Sequence, residues 1–233
     1  MSVTGAPEAA AGAAGPAPMR PIRDAATVVV LREGAGGPEV LMGQRGAQAA
    51  FMPSKFVFPG GALDPGDAEV PLAAPLPAAC AARLGGQGAA LAAAAIRELW
   101  EETGLALGQP GDWPGVVPAD WTGFAARGLR PDPQGLRYIF RAITPPGRPR
   151  RFDARFFLVD ADHIQGPTDD FSAACEELSH LQWIPLARTR SFDLPFITEV
   201  VLAEVAALAA GEPMESVPFF DNSGDAPLFR RIA

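Results

Sequence analysis

Three glutamates, Glu98, Glu101 and Glu102, stand at i, i+3 and i+4, a spacing that sets their carboxylates on one face of an α-helix. Like charges gathered this way repel, and they fall in the last turns of the predicted helix, where the helix dipole disfavours anions. A helix with no use for them would carry Lys or Arg there. Hard oxygen donors in one patch suit Mg²⁺ or Mn²⁺, ions that commonly also hold substrate phosphates. Without such a use, the triplet would simply be a solvated acidic face.

The elements that must position these acids are legible on either side of them. Residues 89–103 combine strong helix formers with Gly104 at the site of a left-handed C-cap. Leu91, Ala95 and Leu99, at i, i+4 and i+8, form the face that would anchor the helix to a sheet. Upstream, Phe56-Val57-Phe58 is a short strand halted by Pro59-Gly60-Gly61, a glycine turn whose free carbonyls could point at the same ion. Residues 27–31 and 39–45 read as a hairpin, residues 136–143, 152–159 and 181–184 as further strands, and residues 195–210 as a second helix with apolar residues at helical spacing. A short helix is expected near residues 77–84, and residues 108–120 read as a loop. Short strands with a few helices indicate one α/β (α+β) domain.

Composition closes several alternatives. Nineteen basic residues against 27 acidic give a net charge of -8, which argues against a general nucleic-acid binder. Two cysteines, Cys80 and Cys175, exclude a disulfide framework and a four-thiolate zinc site. The apolar runs are short and Ala-rich, so no membrane span is expected, and with no signal-peptide pattern a cytoplasmic location is the default. Residues 1–18, all but devoid of large apolar side chains, are expected to be a disordered leader before a domain at 19–233.

Positive charge for an anionic substrate must be local. Arg141, Arg148, Arg150, Arg151 and Arg155 crowd one predicted hairpin, and Arg155, flanked by apolar strand residues, is the preferred phosphate ligand. Arg45, just after the second strand, is the other candidate. Trp113, Trp121 and Phe124 could stack on a base or form a small core.

Gly61, then Asp67 after five residues, then Arg97-Glu98-Leu99 and Glu101-Glu102-Thr103-Gly104-Leu105, resembles a Nudix box, G-x5-E-x7-R-E-U-x-E-E-x-G-U. The second half matches at every fixed position. The first half departs twice: Asp67 replaces the usual Glu, and the spacer from Ala68 to Ile96 has 29 residues instead of seven, an insertion centred on about 68–90. An interrupted box, with Phe51-Met52-Pro53 before the glycines and the run from Phe152 to Phe157 later, is similar to the coenzyme A diphosphatase branch of that superfamily.

The resemblance implies a single domain with a mixed sheet sandwiched between helices. It implies hydrolysis of the pyrophosphate in a nucleoside diphosphate linked to another group, with Mg²⁺ or Mn²⁺ as cofactor. Glu101 and Glu102 would be the main metal ligands, with Glu98 a further ligand or the general base, and the Gly60 carbonyl would complete the set. Arg97, the second catalytic candidate, would hold the glutamate rotamers. A later loop would add another acid, for which Glu177 is the candidate and Glu176 its competitor. Coenzyme A or an acyl-coenzyme A is the expected substrate, with ADP-ribose or NADH as alternatives, and no nucleic-acid or membrane partner is expected. The apolar second helix could serve a homodimer. A nucleotide-sensing domain without catalysis is the reading from another class, and retention of all three glutamates speaks for an enzyme.

Overall fold

In the computed structural model residues 21–224 and 226–233 are described; the leader expected at 1–18 lies outside them. The β-branched run of the first hairpin extends further than its apolar centre suggests. It forms β1 (Ile22–Gly34) and turns tightly into β2 (Gly37–Arg45), because Val28, Val29 and Val30 are buried on both faces of a central strand. Two short strands follow, β3 (Phe56–Val57) on β2 and β4 (Gly60–Ala62) on β1. The chain then forms α1 (Ala78–Leu84), α2 (Gly88–Thr103), β5 (Ala106–Pro110), α3 (Thr122–Ala126) and β6 (Leu129–Pro131). It continues through β7 (Arg137–Ile143), β8 (Arg151–Asp160), β9 (Ile164–Gln165), β10 (Leu178–Pro185), α4 (Phe196–Ala209), β11 (Val217–Asp221) and β12 (Leu228–Ile232).

The main sheet runs β10-β2-β1-β8-β7-β11-β12. It is mixed: β1 pairs parallel with β8 and β7 parallel with β11, while the other neighbours are antiparallel. A smaller sheet, β6-β5-β9, flanks it. One core lies under α2, with Leu91, Ile96, Leu99, Trp121, Phe124 and Phe157 at its centre; a second lies under α4, around Val201, Val205, Phe140 and Leu158. The sheet is thus sandwiched between helices, as its binary pattern requires.

The expected strands and both long helices are present, α2 beginning at Gly88 and α4 ending at Ala209. The loop expected at 108–120 is partly ordered as the end of β5. The insertion folds as α1 and the first turns of α2. Cys80 of α1 is buried, and its thiol donates to the Leu136 carbonyl while accepting the Tyr138 amide at 3.2 Å each, which ties the insertion to β7.

One apolar stretch is longer than the short runs noted in the sequence. The stretch Ala78–Thr103, 26 residues containing an 18-residue window with a mean hydropathy of 1.2, is long and apolar enough by composition to cross a bilayer. In the fold it is α1 and α2 joined through a 3₁₀ turn at Gly85–Gln87, and Leu91 to Ile96 are wholly buried in the domain core.

Candidate active site

The last turns of α2 lie over β4, and the glycines there are a steric requirement. A Cβ on Gly61 would sit 2.3 Å from Glu98 Oε1, and one on Gly60 would sit 2.6 Å from the Ala26 carbonyl oxygen. The first obstacle is the tip of a side chain and the second is backbone, so only the first could yield. Gly61→Ala is therefore expected to leave the melting temperature nearly unchanged while displacing Glu98. Assays of kcat/KM should show a fall of roughly tenfold or more, on the scale that misplacing a reacting group carries. Gly104 ends α2 in the left-handed region at φ 74°, its amide bonded to the Trp100 carbonyl, as its position predicts.

Arg97 is the hub of the site. Only 5% exposed, it donates from Nε to Asp67 Oδ1 at 2.9 Å and from Nη2 to Asp67 Oδ2 at 3.0 Å. Nη2 also reaches the Ala62 carbonyl at 3.1 Å, while Nη1 reaches Glu98 Oε1 at 2.9 Å and Glu101 Oε2 at 3.1 Å. Burial alone would depress its pKa, yet Asp67, Glu98 and Glu101 overrule that and hold the guanidinium firmly charged. Asp67, one methylene shorter than the residue usual in the resembling motif, makes a full two-point contact. Backbone placement supplies the missing length: Asp67 lies in a 3₁₀ turn at Pro65–Glu69 and also accepts the Asp64 amide at 2.8 Å.

The acids differ in setting. Glu102 is 1% exposed; Oε2 accepts the Gly60 amide at 2.7 Å, while Oε1 is buried with no hydrogen-bond partner. Burial and the neighbouring Glu98 push its pKa well above the carboxylate range. Glu98 is pushed up to about 7, mainly by burial, against the pull of Arg97. Glu101, more open, is raised by burial as well. Glu177 stands close enough to repel both Glu98 and Glu102, and Arg45 Nη2 binds its Oε1 at 2.6 Å. Among the described residues no three acidic, histidine or cysteine side chains close around one point, and Arg97 takes an oxygen each from Glu98 and Glu101. An unpartnered buried carboxylate oxygen on Glu102, with Glu98 and Glu177 near enough to repel it, is nevertheless the donor chemistry a hard divalent cation requires.

These shifts have a consequence for stability. An unfolded glutamate releases its proton near 4.5, whereas Glu98 in the folded chain keeps it to about 7. Its contribution is complete below the lower value and is lost as pH rises toward the upper one. In chelator, the melting temperature is expected to fall by several degrees between pH 5 and pH 8, and a divalent cation to restore it at pH 8 far more than at pH 5. A flat profile in calorimetry would contradict this setting for the acids.

Glu98, Gly60, Gly61, Arg45 and Glu177 open onto one cavity of about 820 Å³. Of the other candidates named from the sequence, Arg97, Glu101 and Glu102 do not line this cavity but lie beside it, Arg97 and Glu101 through Glu98 and Glu102 through Gly60. Arg155 is not on the cavity wall and is corrected as a phosphate ligand. It is 7% exposed, with Nη1 held by Asp24 and by both Asp153 Oδ2 and the Asp153 carbonyl, so it ties β8 to β1. On β8 it shares a face with the buried Asp153 and Phe157. Trp121 and Phe124 are wholly buried against Trp100 and Trp113, so they are core rather than a base-stacking surface. The sequence reading missed Arg23, Lys55, Phe196 and Phe220 on the cavity wall.

Fold and site together define a domain that gathers acidic oxygen donors over a glycine pair, beside a cation-lined cleft. Residues 21–200 match the family described as "NUDIX domain", and the chain belongs to that family. It is 30% identical over 157 residues to a Caenorhabditis elegans protein named "Putative nudix hydrolase 7", a match spanning 62% of this chain but only 46% of the relative. A solved structure, the NUDIX hydrolase from Alicyclobacillus acidocaldarius, is 35% identical and superposes with a TM-score of 0.59 over 82% of this chain and 92% of its own.

Proposed function

We propose that this chain hydrolyses the phosphoanhydride of a nucleoside diphosphate linked to a second group, releasing a nucleoside monophosphate and a phosphorylated remainder. Coenzyme A or an acyl-coenzyme A is the first candidate substrate, and ADP-ribose or NADH the alternative. The observation that carries the reading is Glu102, a buried carboxylate with one unpartnered oxygen beside a glycine pair, joined to a large cleft through Glu98.

Glu102, Glu101, Glu98 and Glu177 would hold Mg²⁺ or Mn²⁺, which when bound screens the diphosphate charge and lowers the pKa of water. The chain's own residues do the rest. Arg97 fixes the rotamers of Glu98 and Glu101 and is fixed in turn by Asp67. Glu98, poised near neutrality and open to the cleft, can take the proton of the attacking water. Arg45 lines the same cleft beside Glu177 and would place its charge against a phosphate oxygen.

A panel of coenzyme A, acyl-coenzyme A, ADP-ribose, NADH and nucleotide sugars, assayed by product chromatography with Mg²⁺ and with Mn²⁺, tests this reading. Cleavage between the phosphorus atoms of at least one compound, abolished by chelator, is the expected result. No turnover of any of them with either ion would overturn it.

A further inference from the structure

The cleft that opens at Glu98 has a second end with different chemistry. Five basic side chains line it, Arg23, Arg45, Lys55, Arg148 and Arg150, against two acids, Glu98 and Glu177, in a chain whose net charge is -8. Three of the five are already engaged: Arg45 with Glu177, Lys55 with Asp193, and Arg23 loosely with Asp64 at 3.7 Å. Among the described residues Arg148 and Arg150, in the loop between β7 and β8, form no ion pair and no side-chain hydrogen bond, while Arg141, Arg151 and Arg155 nearby are all taken up.

Sheet register gives the separation of the two ends. On β1, Thr27 is opposite Gly60 and Arg23 is opposite Phe152, two residues after Arg150. Four residues of strand span about 13 Å, and crossing from β4 over β1 to β8 adds about 10 Å, so the ends lie roughly 16 Å apart, backbone to backbone. An extended arginine shortens that considerably. Aromatic surface lines the same end: Phe51 and Phe152 meet edge to face at 5.3 Å, and Phe196, 68% exposed, leans on Phe220 at 6.3 Å. An aromatic wall with unpaired guanidinium groups beside it matches a ring that bears its own anionic group.

We propose that Arg148 and Arg150 form a second anion subsite, which takes a phosphate carried on the nucleoside away from the scissile diphosphate, with Phe51 and Phe152 against the base. This rests on the hydrolase reading above and refines its substrate class: diphosphates with a third, ribose-borne phosphate are preferred over those without one. Nothing in the acid cluster could make this distinction, since it meets only the diphosphate.

Two matched pairs test it in kinetics, coenzyme A against its 3′-dephospho form and NADPH against NADH. The expected kcat/KM is at least about tenfold higher for the phosphorylated member of whichever pair is cleaved, the scale of one charge-assisted contact. In the Arg148→Ala/Arg150→Ala double variant that ratio should fall to within about twofold of unity. Titration of adenosine 3′,5′-bisphosphate against AMP in metal-free buffer reads the subsite without any hydrolysis. Tighter binding of the bisphosphate, lost in the double variant, would support the subsite even if no substrate were cleaved and the hydrolase reading failed. Equal binding of both nucleotides, or a preference that survives in the double variant, would overturn it.

Discussion

Glu102→Gln is expected to lower kcat/KM for any pyrophosphate substrate by at least about 10²-fold, the scale of removing one charge-stabilising group from a prepared site. The amide keeps the shape of the side chain and can still accept the Gly60 amide through its oxygen. What it lacks is the charge on the oxygen that has no protein partner. Removing a buried carboxylate relieves a desolvation penalty, so the melting temperature in chelator at pH 7.5 should not fall. In the wild type a divalent cation should raise that temperature, and in the variant the rise should shrink. Glu177→Gln, exposed and tied to Arg45, is expected to cost less, about tenfold. Glu102→Gln with activity within a few-fold of wild type would remove this residue from the site's chemistry.

Asp67→Ala is expected to produce the largest loss of stability. It strips two donors of a 5%-exposed guanidinium of their partner, and breaking a buried pair from one side costs about 3 kcal/mol or more. For a domain of this size that is a drop of roughly 6 to 12 °C in melting temperature, readable by calorimetry. Glu98 and Glu101 remain as partners, so the chain should still fold. Asp67→Glu, which restores the residue usual in the motif, is expected to destabilise as well, because Asp67 and Arg97 already meet at 2.9 and 3.0 Å with no room for another methylene. A wild-type melting temperature in Asp67→Ala would show that the pair is dispensable.

Local signals carried most of what the sequence revealed. The helix bearing the glutamates was legible because formers, apolar spacing and a terminal glycine all agree over sixteen residues. The first hairpin was legible from its β-branched run and the glycines between its strands. Other elements carry no such local signal. β5, Ala-Leu-Gly-Gln-Pro, is a strand only because β6 and β9, distant in sequence, pair with it. β11 and β12 follow Pro- and Gly-rich segments and complete the sheet through β7, a pairing that depends on contacts made across the whole domain. Arg155 shows the same limit for side chains. An arginine between apolar strand residues can equally face a phosphate or a buried aspartate, and only the register that places Asp24 opposite Asp153 decides it.

The alanines of α2 have a consequence beyond packing. Ala92, Ala93, Ala94 and Ala95 are essentially inaccessible, and the helix they belong to rests on β1 and β4. Methyl-sized side chains set the clearance between helix and sheet, and so meter the height of the carboxylate row above Gly60 and Gly61. The alignment of the chemistry is thereby delegated to inert groups one to two turns away. A bulkier residue there would lift the row like a shim, and its first symptom would be slow turnover in a protein that still folds.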